Sequence, residues 1–188
     1  MAENHPNEIA TFKNAFDGGT RPNRFVISGE IGSEGGGSNV ESLLVKAGSV
    51  PAQSLGILQL PFRGRVAKVP GDRAYAEWTF TMIDSTGVND GRNYRREFER
   101  WHEALNKHRE NVVTSQDILN GTNPNIYTQW SVQQLDMTGA VLPDRTITLV
   151  NCWPAEVGAI DLSYDAADTI TEYSVTLAYD YIELTDGI

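Results

Sequence analysis

The sequence predicts a mostly-β, α+β domain: two packed sheets or a barrel, with one helix at its side. Three observations predict it. Residues alternate between two faces over Ala74–Asp84 and again over Ile170–Leu184, the period-2 signature of strands with one buried side. A single segment, at about 93–107, carries an apolar stripe at helical spacing. The chain of 188 residues, 40% hydrophobic and 21% charged, has the size and composition of one folded domain, or of one domain with an arm.

The elements follow in order. Residues 1–22 read as an arm and 23–188 as the single domain. In the arm, Glu8–Phe16 makes two helical turns that place Ile9, Phe12 and Phe16 on one face, stopped by Asp17-Gly18-Gly19. So short a helix is unstable alone and needs a surface to dock on. Phe25–Ile31 is a first strand, Ser33–Ser38 with its three glycines a hairpin tip, and Val40–Ala47 a second strand. Residues 48–72 form a long connection that nevertheless holds Leu55, Ile57, Leu58, Leu60, Phe62, Val66 and Val69. A connection this apolar predicts an extended hairpin covering something. The turn Gly71-Asp72-Arg73 then opens the strand Ala74–Asp84, whose Trp78, Phe80 and Met82 point inward while Glu77, Thr79 and Thr81 point outward.

Asn89-Asp90-Gly91 opens the helix, where Tyr94, Phe98, Trp101 and Leu105 make the apolar stripe. Glu110–Asn125 is polar and turn-rich. Ile126–Met137 and Arg145–Cys152 are strands, with a turn at Thr138-Gly139-Ala140 after the first. Ile170–Leu184 is one long final strand, with Glu172 and Asp180 on its outward face.

Charge narrows the function. A formal net charge of -10 argues against wrapping nucleic acid, which requires a basic footprint. The charge is also segregated. Thr146–Ile188 contains eight acidic residues and no Lys or Arg, whereas Arg63, Arg65, Lys68 and Arg73 cluster together and Arg92–Arg109 holds six basic residues against three acids. Such segregation fits self-association, basic part to acidic part, as well as simple solubility. The polar N-terminus has no secretory pattern and no segment reaches the length of a membrane helix, so folding in a cytoplasm and no membrane insertion are expected. Cys152, the single cysteine, reads as buried filler.

Catalytic and ligand motifs are weak. There is no P-loop, and no dinucleotide-binding GxGxxG between a strand and a helix; Gly35-Gly36-Gly37 precedes a strand without a Lys. His102 and His108, six residues apart, do not stack as zinc ligands on a helix. Asp161, Asp165 and Asp168 lack the Gly and closing Glu of a calcium loop and read as an acidic solvated turn. Asn120-Gly121-Thr122 matches a glycosylation acceptor by chance. Asp72 and Arg73 read as an ion pair or backbone-satisfying pair rather than a phosphate clamp. No catalytic residue, metal or cofactor is expected.

Five stretches, in order, resemble the major tail tube protein of contractile-tailed bacteriophages: FDGGTRPNRFVISGEI, VKAGSVPA, GRVAKVPGDRAYAEWTFTMIDS, NYRREFERWHEALN and NCWPAEVGAIDLSYDAADTITEYSVTLAYDYIEL. The resemblance runs from about Phe16 to Leu184 and is poorest at Ser33–Ser38 and Glu110–Asn125. It implies two roughly orthogonal antiparallel sheets forming a small barrel, a fold shared with the type VI secretion tube protein. It also implies a structural virion role: six copies form a ring, and rings stack into a tube whose bore conducts the genome while the sheath contracts. Partners implied are further copies of the chain, the tail sheath protein, and baseplate and tail terminator proteins. DNA passes through without specific binding, and assembly takes place in the host cytoplasm.

Under that reading the arm (Ile9, Phe12, Phe16) and the apolar connection (Leu55, Ile57, Leu58, Leu60, Phe62, with Arg63, Arg65, Lys68, Asp72 and Arg73) contact neighbouring copies or rings. Part of the acidic surplus faces the bore, with Glu77, Glu172 and Asp180 as candidates, because a wall that repels phosphate lets DNA slide. Two alternatives stand beside it. One is a tube subunit of a contractile injection or type VI secretion-like system. The other is a small-molecule barrel using Trp78, Trp101, Trp130 and Trp153, residues more often core anchors.

Overall fold

The computed structural model describes residues 9–16, 18–33, 38–40, 42–86 and 93–184. A short helix, α1 (Ile9–Phe16), precedes β1 (Phe25–Ile31), β2 (Ser38–Asn39), a 3-10 turn (Ser42–Leu44) and β3 (Val45–Gly48). Then come β4 (Gln53–Phe62), β5 (Arg65–Tyr75), β6 (Trp78–Ile83), α2 (Tyr94–Leu105), α3 (Gln116–Leu119), β7 (Thr128–Leu135), β8 (Val141–Val157), β9 (Glu172–Ala178) and β10 (Tyr181–Leu184). All described strand pairs are antiparallel. The mostly-β antiparallel architecture is the one the sequence predicts.

Eight strands share one continuous pairing path, β2-β1-β7-β8-β9-β6-β3, with β10 added on β8. The long strand β8 divides it into two layers. Its residues up to Cys152 pair with β7 and β10, and Trp153–Val157 pair with β9. The changeover lies at Asn151, whose φ of 58° is a left-handed conformation that Asn tolerates better than most residues. There the Asn151 side-chain amide donates to the Asp180 carboxylate at 2.8 Å, and the Asp180 N–H donates to the Val150 carbonyl at 3.1 Å. The strand expected over Ile170–Leu184 is therefore two. It breaks at Tyr179-Asp180, where the chain leaves the β6 side of the molecule for the β7 side. Alternation persists through the break, which is why the pattern hides it.

The two layers meet through aromatic side chains. Trp130 of β7 lies 5.1 Å from Phe80 and 6.3 Å from Trp78 of β6, ring centre to ring centre, and Phe98 of α2 joins both Phe80 and Trp130. Each buried indole has an acceptor for its N–H: Trp78 the Ser49 carbonyl, Trp101 the Ile126 carbonyl, Trp130 the Glu30 carbonyl. An unpaired buried N–H would cost about 1–3 kcal/mol, so these bonds are part of why bulky indoles fit the core. Trp130 also requires Gly29 as its cross-strand neighbour, because a Cβ there would collide with the indole ring. The end strands β2 and β3 do not pair, so hydrogen bonding does not close the sheet among the described residues.

Helix α2 seals one flank. Asn93 caps it, accepting the Arg96 N–H at 3.0 Å, while Tyr94, Phe98 and Trp101 are buried. Arg95 lies over the Tyr173 ring at 5.3 Å and donates to the Gly158 carbonyl, fastening α2 to the β8–β9 side. The helix ends at Leu105, two residues before the expected limit, because Asn106 turns to an extended conformation.

Other boundaries differ. The strand expected over Val40–Ala47 is interrupted by the 3-10 turn, leaving only β3 to pair with β6. The strand expected over Ala74–Asp84 breaks at Ala76-Glu77, and β7 and β8 are respectively shorter and longer than expected. Within the polar stretch, α3 buries Ile118. The tip residues 34–37, the stop residue Asp17 and the Asn89-Asp90-Gly91 helix opening lie outside the described residues.

Candidate assembly surfaces

The apolar connection is a two-stranded ribbon, β4 and β5, closed by Arg63-Gly64. Both turn residues have positive φ, 44° and 79°, the backbone that joins tightly twisted hairpin strands. Arg63 accepts this conformation with its guanidinium 5.4 Å from the centre of the Phe62 ring. Leu58 pairs with Val69, Leu60 with Ala67 and Phe62 with Arg65, so one face is almost wholly apolar. The opposite face mixes Ile57, Pro61, Val66 and Pro70 with Gln59 and Lys68.

Every residue of β4 is exposed: Leu58 is 55% accessible, Leu60 48% and Phe62 67%. An isolated ribbon of two strands is marginal in water, and contiguous exposed apolar area of this kind marks an interaction surface. The expected hairpin is present, but among the described residues nothing buries any part of β4.

One detail corrects the sequence reading. Gly71-Asp72-Arg73 does not open a strand. It lies within β5, at a bulge where pairing shifts between Leu55–Arg73 and Ile57–Pro70. Gly71 faces Gly56 there, and a Cβ on either would press on the other strand's backbone at 3.2 Å. The Gly71-Asp72-Arg73 stretch that suggested a turn is thus the sharp step of a bulge. Arg73 donates to the Gln53 side chain at 2.7 Å, and Asp72 is exposed.

The arm repeats the theme. In α1, Ile9, Phe12 and Phe16 are 74%, 64% and 55% accessible, and none of the helix is buried. Phe12 and Phe16 stack on each other at 5.8 Å. The arm touches the body near its end, where Arg145 donates to the Thr20 hydroxyl.

The acidic candidates do not converge. Glu77 is exposed in the break before β6, and Glu172 begins β9. Because Trp78 pairs with Leu177 and Ile83 with Glu172, Glu77 and Glu172 lie toward opposite ends of the β6–β9 pair. Glu172 is also ion-paired with Lys46. Asp180 sits beyond β9 and accepts from Asn151. Between the two glutamates the outward face is hydroxyl-rich, with Thr79 and Thr176 hydrogen-bonded at 3.0 Å.

The outward face of β1, β7 and β8 forms an open concavity of about 810 Å³. Ser28, Ser131, Gln133, Thr146 and Thr148 floor it, and it is lined by no Lys or Arg. The small-molecule reading loses its basis, since Trp78, Trp101 and Trp130 are fully buried packing residues and Trp153, partly buried, packs against the same core. Cys152 is buried as expected, and burial pushes its thiol up to about 12. Sequence reasoning missed one apolar surface. The loop between β8 and β9 exposes Leu162, Tyr164 and Ile170 among the acids that made it read as a plain solvated turn.

Residues 22–183 match the family described as phage tail tube protein. The chain belongs to that family. It is 28% identical over 171 residues to the tail tube protein of Enterobacteria phage T4, covering 90% of this chain and 95% of that one. It is 30% identical over 138 residues to the tail tube protein of Serratia phage KSP90, covering 73% of this chain and 71% of that one. Among solved structures, the fold is shared with a chain of the sheath–tube complex of an extracellular contractile injection system in its extended state. That likeness has a TM-score of 0.61 at 15% identity, covering 94% of this chain and 97% of that one.

Proposed function

We propose that this tail tube family member is a structural subunit whose copies close into hexameric rings, and that stacked rings form the tube conducting the genome during tail contraction. The observation that supports this best is the pair of apolar projections, the β4–β5 ribbon and α1, left uncovered by a well-filled core. A chain that leaves so much apolar area in water finds its burial partners in neighbouring copies. The edge strands β2, β3 and β10 offer further backbone groups for pairing, and ring closure removes the hazard of free edges. By the same reading the tail sheath, baseplate and terminator proteins are partners, and the subunit assembles in the host cytoplasm.

Part of the surplus of acids over bases faces the bore in this proposal. Each phosphate contact with a basic wall would add attraction, so a bore without cations lets DNA slide. Glu77, Glu172 and Asp180 remain the candidates, with Thr79 and Thr81; Glu172 contributes less net charge, since Lys46 neutralises it. A reconstructed tube with a basic bore would overturn this part.

Negative-stain images of purified protein at two concentrations test the assembly itself. Rings or tubes, more abundant at the higher concentration, are expected. Monodisperse monomers at both would sink the proposal.

A further inference from the structure

The β4–β5 ribbon carries four cations (Arg63, Arg65, Lys68, Arg73) against one acid (Asp72), in a chain of net charge -10. Its apolar face therefore ends in a cationic tip. An occupant must supply exposed apolar side chains interleaved with acids. The β8–β9 loop does so. Residues 161–171 are all exposed and form no helix or strand. They hold Asp161, Asp165 and Asp168 with no Lys or Arg, and Leu162, Tyr164 and Ile170 are 87%, 109% and 69% accessible. A long irregular loop with bulky apolar groups in water is a feature of binding segments.

We propose that the β8–β9 loop of one copy is the docking partner of the β4–β5 ribbon of the next. Leu162, Tyr164 and Ile170 cover the Leu58–Leu60–Phe62 face, and the aspartates meet Arg63 and Arg65 at its tip. This rests on the tube reading and names the segments that make its contact. The basic residues of α2 are the competing site for the loop. They bring charge without apolar area, since no exposed large hydrophobic residue lies on that helix. Both segments are exposed in the same chain, so the contact forms between chains. Two different complementary patches make a head-to-tail interface, which propagates as a ring or a stack.

Cysteine cross-linking tests the pairing. A mixture of full-length Phe62→Cys and Leu162→Cys proteins, or of Leu60→Cys and Tyr164→Cys proteins, is assembled and treated with a short bismaleimide. The native Cys152 is buried, with its thiol held up near 12, and gives little background. Covalent heterodimers of the two variants are expected from assembled material and not from dilute monomer. A second arm reverses charge with Arg63→Glu/Arg65→Glu or Asp161→Lys/Asp165→Lys/Asp168→Lys. Either variant should raise the concentration needed for assembly about tenfold or more, and mixing the two should restore it. Tubes that form normally but give no cross-link with either pair, and tolerate both reversals, would overturn the pairing and leave the tube reading standing. A wild type that never associates would overturn both.

Discussion

Asp136 shows how single residues hold the sheet's turns. It follows β7, and its carboxylate accepts from the Thr138 hydroxyl and N–H, each at 2.7 Å, and from the Ala140 N–H at 2.9 Å, while Gly139 takes the left-handed corner. These bonds, the Thr138 hydroxyl foremost, hold the carboxyl below its ordinary range. A depressed folded-state value means the contribution is present above about pH 3.8 and is lost as pH falls further, through the folded-state value. Asp136→Ala should therefore lower the melting temperature by about 2–4 °C at neutral pH. The gap between variant and wild type should narrow in scans below that range; a gap unchanged down to pH 2 would contradict the assignment. The turn itself was legible from Thr138-Gly139-Ala140, but the anchor was not, because one Asp among many looks like another. Asn151 was equally hidden: nothing in its neighbours announces that the strand changes partners there.

At the scale of elements, what the sequence made legible is what burial patterns encode. The inward Trp78, Phe80 and Met82, the stripe of α2 and the strand β1 follow from alternation and helical spacing. Breaks that leave the pattern intact, such as Tyr179-Asp180, do not show. Nor does a bulge that imitates a turn, as at Gly71. The ribbon is the most informative case, since its apolar content was plain but its separation from the body was not. That separation carries a prediction. Replacing residues 56–71 with a two-residue turn removes no member of the core cluster. The shortened protein should melt within about 2–4 °C of wild type, the shift expected for 1 kcal/mol in a domain of this size. It should also fail to pellet as tubes on ultracentrifugation. Loss of the native circular dichroism spectrum would show the ribbon to be part of the fold instead.

For the molecule as a whole, the question is how a stable body and unstable projections divide the work. The body holds itself together: three indoles are buried with acceptors, two layers are joined through β8, and α2 is capped and clamped by Arg95. The sequence did not reveal which outer face lines a bore, because both layers present polar residues outward and only a neighbour's position tells them apart. The arm differs, since its eight-residue helix is too short to persist by propensity and exposes its entire apolar stripe. Its helical state therefore depends on docking, and ordering it costs free energy that only a partner's surface returns. Removing Met1–Gly19 should leave the cooperative unfolding of the body intact, while raising the concentration needed for tube formation about tenfold or more, equivalent to 1.4 kcal/mol or more of lost contact. Sedimentation across a dilution series measures that threshold. An unchanged threshold would assign the arm to a contact outside the tube, leaving the ribbon as the projection that joins copies.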